Sequence, residues 1–249
     1  MIDTHTHVTS CKDDPADVLA RARAAGVRRL ITIGSSPEEM AAAAAVVEAD
    51  DEVFMTAGLH PHSAAEWSDG VAAEIRRRAA HPRCVAIGET GLDWFRDRAL
   101  PNAQRAAFQG QLELARELSL PVVIHCRDAV DDCFAMLDAT PPPTVILHCF
   151  AATGRLDDAV ARGWYCSFAG NVTYPKATDL QVAAAAVPDE LLLLETDAPY
   201  LAPAPHRGRP NEPAYVMDTL AFVAGLRGRT SDALARQVEE NAGRAFRLP

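Results

Sequence analysis

Eight times along this chain a short run rich in valine, isoleucine and leucine gives way to a longer stretch rich in alanine, leucine and arginine. The apolar runs are MIDTH (1–5), RRLITIG (28–34), VFMTAGLH (53–60), CVAIGE (84–89), PVVIHC (121–126), TVILHC (144–149), YCSFAGN (165–171) and LLLLETD (191–197). PADVLARARAAG, SPEEMAAAAAVVEA, NAQRAAFQGQLELARELS and TGRLDDAVARG stand between them with helical composition, and several run into Gly or Pro, where helices stop. Strand followed by helix is the pattern of a parallel sheet. Eight such units in 249 residues favour a closed (β/α)8 TIM barrel over an open sheet. No linker or low-complexity tract interrupts them, so a single α/β domain over 1–249 is expected.

Most of the apolar runs stay apolar until their C-terminal end, where an ionisable residue appears. His5 ends the first, His60 the third, Glu89 the fourth, His125 the fifth, His148 the sixth and Asp197 the eighth. In a (β/α)8 barrel those ends open on one face, where active sites are built. His7 stands two residues after His5, and residues i and i+2 of a strand share a face. A lone histidine at a strand end is most often a hydrogen-bonded structural residue, and a lone Asp before Ala-Pro can be a helix N-cap. Taken together the six ends argue otherwise. Burying an unpaired carboxylate costs several kcal/mol, which cations offset. The chain has only two lysines, Lys12 and Lys176, neither of them at a strand end. Metal or arginine remains.

Four histidines (5, 7, 125, 148) and two carboxylates (Glu89, Asp197) are too many for one tetrahedral ion and suit two divalent ions. One carboxylate can bridge such a pair, which then activates a shared water for in-line displacement. Mixed imidazole and carboxylate donors accept Zn, Mn, Ni or Mg without choosing among them.

The totals narrow the partners. Lys plus Arg is 24 against 34 for Asp plus Glu, a net charge of −10. That excludes a broad basic face coating nucleic acid, but not an enzyme that grips a few phosphates locally. No apolar run is long enough to span a bilayer, so no membrane partner is expected. The first ten residues lack a basic segment followed by an apolar one, which makes the cytoplasm the expected compartment. The six cysteines form no CxxC pair and are expected reduced, with Cys126 and Cys149 as small buried residues.

MIDTHTH, GLHPH (58–62), GETGLDW (88–94), LPVVIHCRDA (120–129), ILHCF (146–150), ETDAPYL (195–201) and RGRPNEP (207–213) occur in this order. Together they resemble the TatD-type metal-dependent deoxyribonucleases of the amidohydrolase-like barrels. The resemblance implies that His5 and His7 bind a first metal, that Glu89 bridges two, and that His125 and His148 complete the second. Asp197 then binds the first ion and holds the nucleophilic water, and His60 faces the substrate phosphate with His62 behind it. Because the fourth run ends in Glu89, the lysine-bridged dihydroorotase or phosphotriesterase type is disfavoured.

The expected reaction is phosphodiester hydrolysis as a 3′→5′ exonuclease on DNA, with RNA as a further substrate and a monomer as the acting species. Arg127 and Arg207 are expected on phosphate and Trp94 on a base, with Phe95, Phe150 and Tyr200 as other rim aromatics. Gly88 and Gly91 are expected to let the backbone turn tightly beside Glu89. The competing reading keeps the metals and changes the bond, to an ester or amide such as that of a D-aminoacyl-tRNA.

Overall fold

The computed structural model of the chain describes residues 1–96 and 98–249. Its strands are β1 (Ile2–Thr6), β2 (Arg29–Thr32), β3 (Val53–Ala57), β4 (Cys84–Asp93), β5 (Val122–Arg127), β6 (Val145–Leu147), β7 (Tyr165–Phe168) and β8 (Leu192–Leu194). The helices are α1 (Pro15–Ala24), α2 (Pro37–Ala49), α3 (Asp69–Ala79), α4 (Pro101–Leu118), α5 (Val130–Ala139), α6 (Leu156–Ala161), α7 (Thr178–Ala186), α8 (Val216–Leu226) and α9 (Ser231–Phe246). Strand order in the sheet follows chain order, the topology of the expected (β/α)8 fold.

Two compact units make up the chain, 33–148 and the discontinuous 1–32 with 149–249. In the continuous unit β3 pairs with β4, β4 with β5 and β5 with β6, all parallel. Val122, Ile124, Ile87 and Ala57 are buried there, as strands covered on both faces require. Ser36 caps α2 by accepting from the Glu39 N–H, and Pro37 occupies the first helical position.

In the discontinuous unit β1 pairs with β2 and β7 with β8. The last strand also lies against the first: the Thr4 hydroxyl donates to the Leu194 carbonyl at 3.0 Å. Just beyond β8 the Asp197 N–H donates to the His5 carbonyl at 2.9 Å, and the His7 N–H to the Ala198 carbonyl at 2.8 Å.

Several strands differ in length from the sequence expectation. β3, β6 and β8 stop early, so His60, His148 and Asp197 stand in the turns that follow them. Left-handed backbone at Cys149 (φ +43°) and Asp197 (φ +55°) takes the chain out of the strand direction there. β4 instead continues past Glu89 to Asp93. Gly91 makes this possible with φ +140°, and a Cβ at that position would collide with the His125 carbonyl on the neighbouring strand. None of the described helices is long and apolar enough to cross a membrane.

Candidate metal centre

The continuous unit gathers four histidines around two buried carboxylates. Glu89, 2% exposed, turns one oxygen, Oε1, toward three imidazoles. His125 Nδ1 lies at 2.8 Å, His148 Nε2 at 3.1 Å and His60 Nε2 at 3.4 Å. Burial pushes the Glu89 carboxyl up, but the charges of His148 and His60 and the hydrogen bonds of His125 and His148 outweigh it. The net effect holds Glu89 well below the usual carboxylate range.

Asp93 forms the second layer. Its Oδ2 meets His125 Nε2 at 3.1 Å and His62 Nε2 at 2.8 Å. Its Oδ1 accepts the backbone N–H groups of Phe95 at 2.9 Å and Arg96 at 2.8 Å. The burial penalty on this carboxylate is again exceeded by its hydrogen bonds, so its pKa is lowered. His125, with a carboxylate oxygen on each ring nitrogen, is pushed up to about 9 although burial alone would lower it. Burial dominates at His62 and lowers its pKa.

One donor atom each from His60, Glu89 and His125 lie within 4.8 Å of one another. A buried carboxylate ringed by imidazoles is a donor set suited to a divalent ion of the zinc or manganese type. Asp93 behind the His125 ring is the outer-shell carboxylate that such ligands usually carry.

The discontinuous unit carries a second set. Asp197 Oδ1 lies 3.7 Å from His5 Nε2 and 3.5 Å from His7 Nε2. Those separations are long for hydrogen bonds. They are close to the ~3.3 Å expected between two ligands of one tetrahedral ion with bonds of about 2.05 Å. Behind this set stands Asp3, fully buried. Its Oδ2 accepts the Thr196 hydroxyl at 2.6 Å, and its Oδ1 accepts the N–H groups of Thr196 at 3.0 Å and His5 at 3.3 Å. Burial pushes the Asp3 carboxyl up to about 8 against those hydrogen bonds. Asn211, in RGRPNEP, donates to the carbonyls of Thr196 at 2.8 Å and Tyr200 at 2.6 Å and so fixes the turn that bears Asp197. Glu195 is also buried and accepts the Cys149 N–H at 2.7 Å.

The residues expected around these sets have mixed positions. Arg127 lies over the Phe95 ring, 3.9 Å from its centroid, and both residues are exposed. Trp94 turns toward the helices: its indole N–H donates to Asp132 at 3.0 Å, and Arg105 covers its ring at 5.0 Å. Arg207 lies over Tyr174 at 4.5 Å. Glu212 anchors the RGRPNEP loop by accepting from Arg21 of α1 at 2.6 Å. Tyr200 is exposed with its ring 6.1 Å from that of His7, whereas Phe150 is buried against Phe168. Cys126 and Cys149 are half-buried rather than buried, because each sits where its strand ends and the chain turns outward. No disulfide joins any of the six cysteines.

Asp3, Asp93, Thr196 and Asn211 escape the reading of strand ends. Even spacing was the available signal: Asp3 precedes His5 by two residues, and Asp93 follows Glu89 by four along an extended β4.

Comparison with known proteins finds relatives of the whole chain. A family model described as TatD related DNase matches residues 2–247. The "3'-5' ssDNA/RNA exonuclease TatD" of Erwinia billingiae is 40% identical over 260 residues, covering 100% of both chains. The "Uncharacterized metal-dependent hydrolase TatD" of Mycobacterium tuberculosis is 39% identical over 263 residues, covering 100% of this chain and 98% of its own. Among solved structures, the TatD homologue YjjV of Escherichia coli superposes with a TM-score of 0.93 at 30% identity, covering 100% of this chain and 98% of that one.

Proposed function

The chain belongs to the TatD-related DNase family, and we propose that it is a metal-dependent 3′→5′ exonuclease acting on DNA, and on RNA as well. In this reading it works as one domain and as a monomer in the cytoplasm. The observation that carries it is the convergence of three imidazoles on one buried oxygen of Glu89. Such a carboxylate is made to share positive charge, and a nuclease needs that charge at a phosphodiester.

Two divalent ions are proposed, one held by His5, His7 and Asp197, the other by Glu89, His125 and His148. When bound, they supply Lewis-acid polarisation of the phosphoryl group and a water of lowered pKa. Asp197 orients that water and accepts its proton. His60, beside Glu89, donates to a non-bridging phosphate oxygen. Arg127 and Arg207 add guanidinium donors along the strand. Asp93 and Asp3 hold the ligands in register without touching substrate.

A 5′-labelled single-stranded DNA incubated with the chain and Mg, Mn or Zn tests the proposal. The expected result is a ladder shortening from the 3′ end and abolished by chelator. Two ions bound with no nucleotide released would overturn it in favour of an ester or amide hydrolase such as a D-aminoacyl-tRNA deacylase.

A further inference from the structure

We propose that Phe95, its ring flanked by Arg127, is a base-stacking subsite whose exposed surface takes an unpaired nucleobase of the strand. The proposal rests on the nucleic-acid reading above and adds to it the residue that grips a base.

A single exposed phenylalanine would carry no such weight. Phe95, however, is 56% exposed while its backbone N–H is pinned by Asp93, the carboxylate whose other oxygen takes His125 and His62. The backbone that carries the ring is therefore fixed by the same carboxylate that meets His125, a proposed ligand. Arg127 comes from the neighbouring strand, where it pairs in register with Asp93. It stands two residues beyond His125, on the same face of β5. Its guanidinium lies 3.9 Å from the Phe95 centroid, inside the range of a cation–π contact.

The adjacent aromatic shows the contrast. Trp94 spends its N–H on Asp132, and the arginine above it, Arg105, is paired with the same carboxylate at 2.9 Å. That group is closed on itself and anchors α4 to α5. Among the described residues no carboxylate pairs with Arg127 within 4 Å, and its guanidinium covers the Phe95 ring. Arg96 also approaches the Phe95 ring, 5.5 Å from its centroid, yet Phe95 stays 56% exposed, and an exposed ring flanked by cations is a stacking surface indifferent to which base is presented.

The test compares two phosphorothioate strands that resist hydrolysis, a 5′-fluorescein decathymidylate and an abasic strand of equal length, binding to the metal-loaded full chain. The readout is the ratio of their affinities by anisotropy. The native chain is expected to prefer the strand with bases. Phe95→Ala and Phe95→Leu are expected to reduce that ratio by about 5- to 150-fold, the span for loss of one base–aromatic stack. Phe95→Trp is expected to restore it. An unchanged ratio in Phe95→Ala and Phe95→Leu, or no base preference in the native chain, would overturn the subsite. The two readings fail separately. Base preference without nucleotide release from ordinary DNA removes the nuclease and leaves the stack. Release of nucleotides with an unchanged ratio removes the stack and leaves the nuclease.

Discussion

Asp93 and His125 face each other across neighbouring strands, Oδ2 to Nε2, at 3.1 Å. The other ring nitrogen of His125 meets Glu89 at 2.8 Å. One imidazole is thus clamped between two carboxylates, which fixes its plane and makes its nitrogens more basic. Asp93→Asn keeps the shape and removes the charge. We expect metal affinity to fall about 10- to 100-fold, the usual cost of losing an outer-shell carboxylate. Calorimetric titration of the metal-stripped variant with Zn or Mn would measure it, and native affinity would contradict the role.

The same clamp sets a pH dependence. His125 has its pKa raised from the ordinary 6.5 to about 9, so the metal-free chain holds an imidazolium there at neutral pH. Its stabilising share is complete below pH 6.5 and is lost as pH climbs through about 9. A metal must displace that proton. Metal uptake at pH 7 should therefore release protons, and apparent affinity should rise with pH and level off near pH 9. Indicator dye in a weakly buffered titration reads the release. Uptake without it would mean that His125 is not a ligand.

Glu89→Ala and Asp197→Asn should each lower nucleotide release by several orders of magnitude while leaving the far-ultraviolet circular dichroism unchanged. Both side chains are proposed ligands and lie against the histidines of their sets. Native turnover in either variant would remove the two-ion assignment.

The strands themselves were legible in the sequence because apolar runs closing on one ionisable residue leave little choice of pattern, and His5, Glu89 and His125 do lie within β1, β4 and β5. Where β4 stops was not legible. GETGLD reads as a loop by its glycines, but Gly91 pairs with His125 in register and carries the strand on to Asp93. The composition that marks a turn here serves close approach of two backbones. Trp94, which directly follows GETGLD, was expected on a base ahead of Phe95. Only the position of Asp132, brought in by α5, turns Trp94 inward.

Gly91→Ala addresses that close approach. With φ +140° and the His125 carbonyl in the way, the added methyl forces β4 and β5 apart. We expect a loss of at least about 1–3 kcal/mol, the scale for strained backbone, together with weaker metal binding at the Glu89 set. A variant as stable as the native chain in urea would show that the register is not held there.

The first of the two proposed ions falls to His5, His7 and Asp197, whose side chains lie together in the discontinuous unit. The turn after β8 reaches β1 through backbone bonds, Asp197 N–H to His5 and His7 N–H to Ala198, at 2.9 and 2.8 Å. Thr196 adds its hydroxyl bond to Asp3 at 2.6 Å. Replacing both imidazoles, His5→Ala with His7→Ala, removes two donors while leaving those bonds in place. The double variant should fold and retain one tightly bound ion of the proposed two by elemental analysis, with activity lost. Deleting residues 1–7 removes the bonds as well as the donors, so that form should lose the same ion and also stability. An undiminished metal count in the double variant would place the first ion elsewhere.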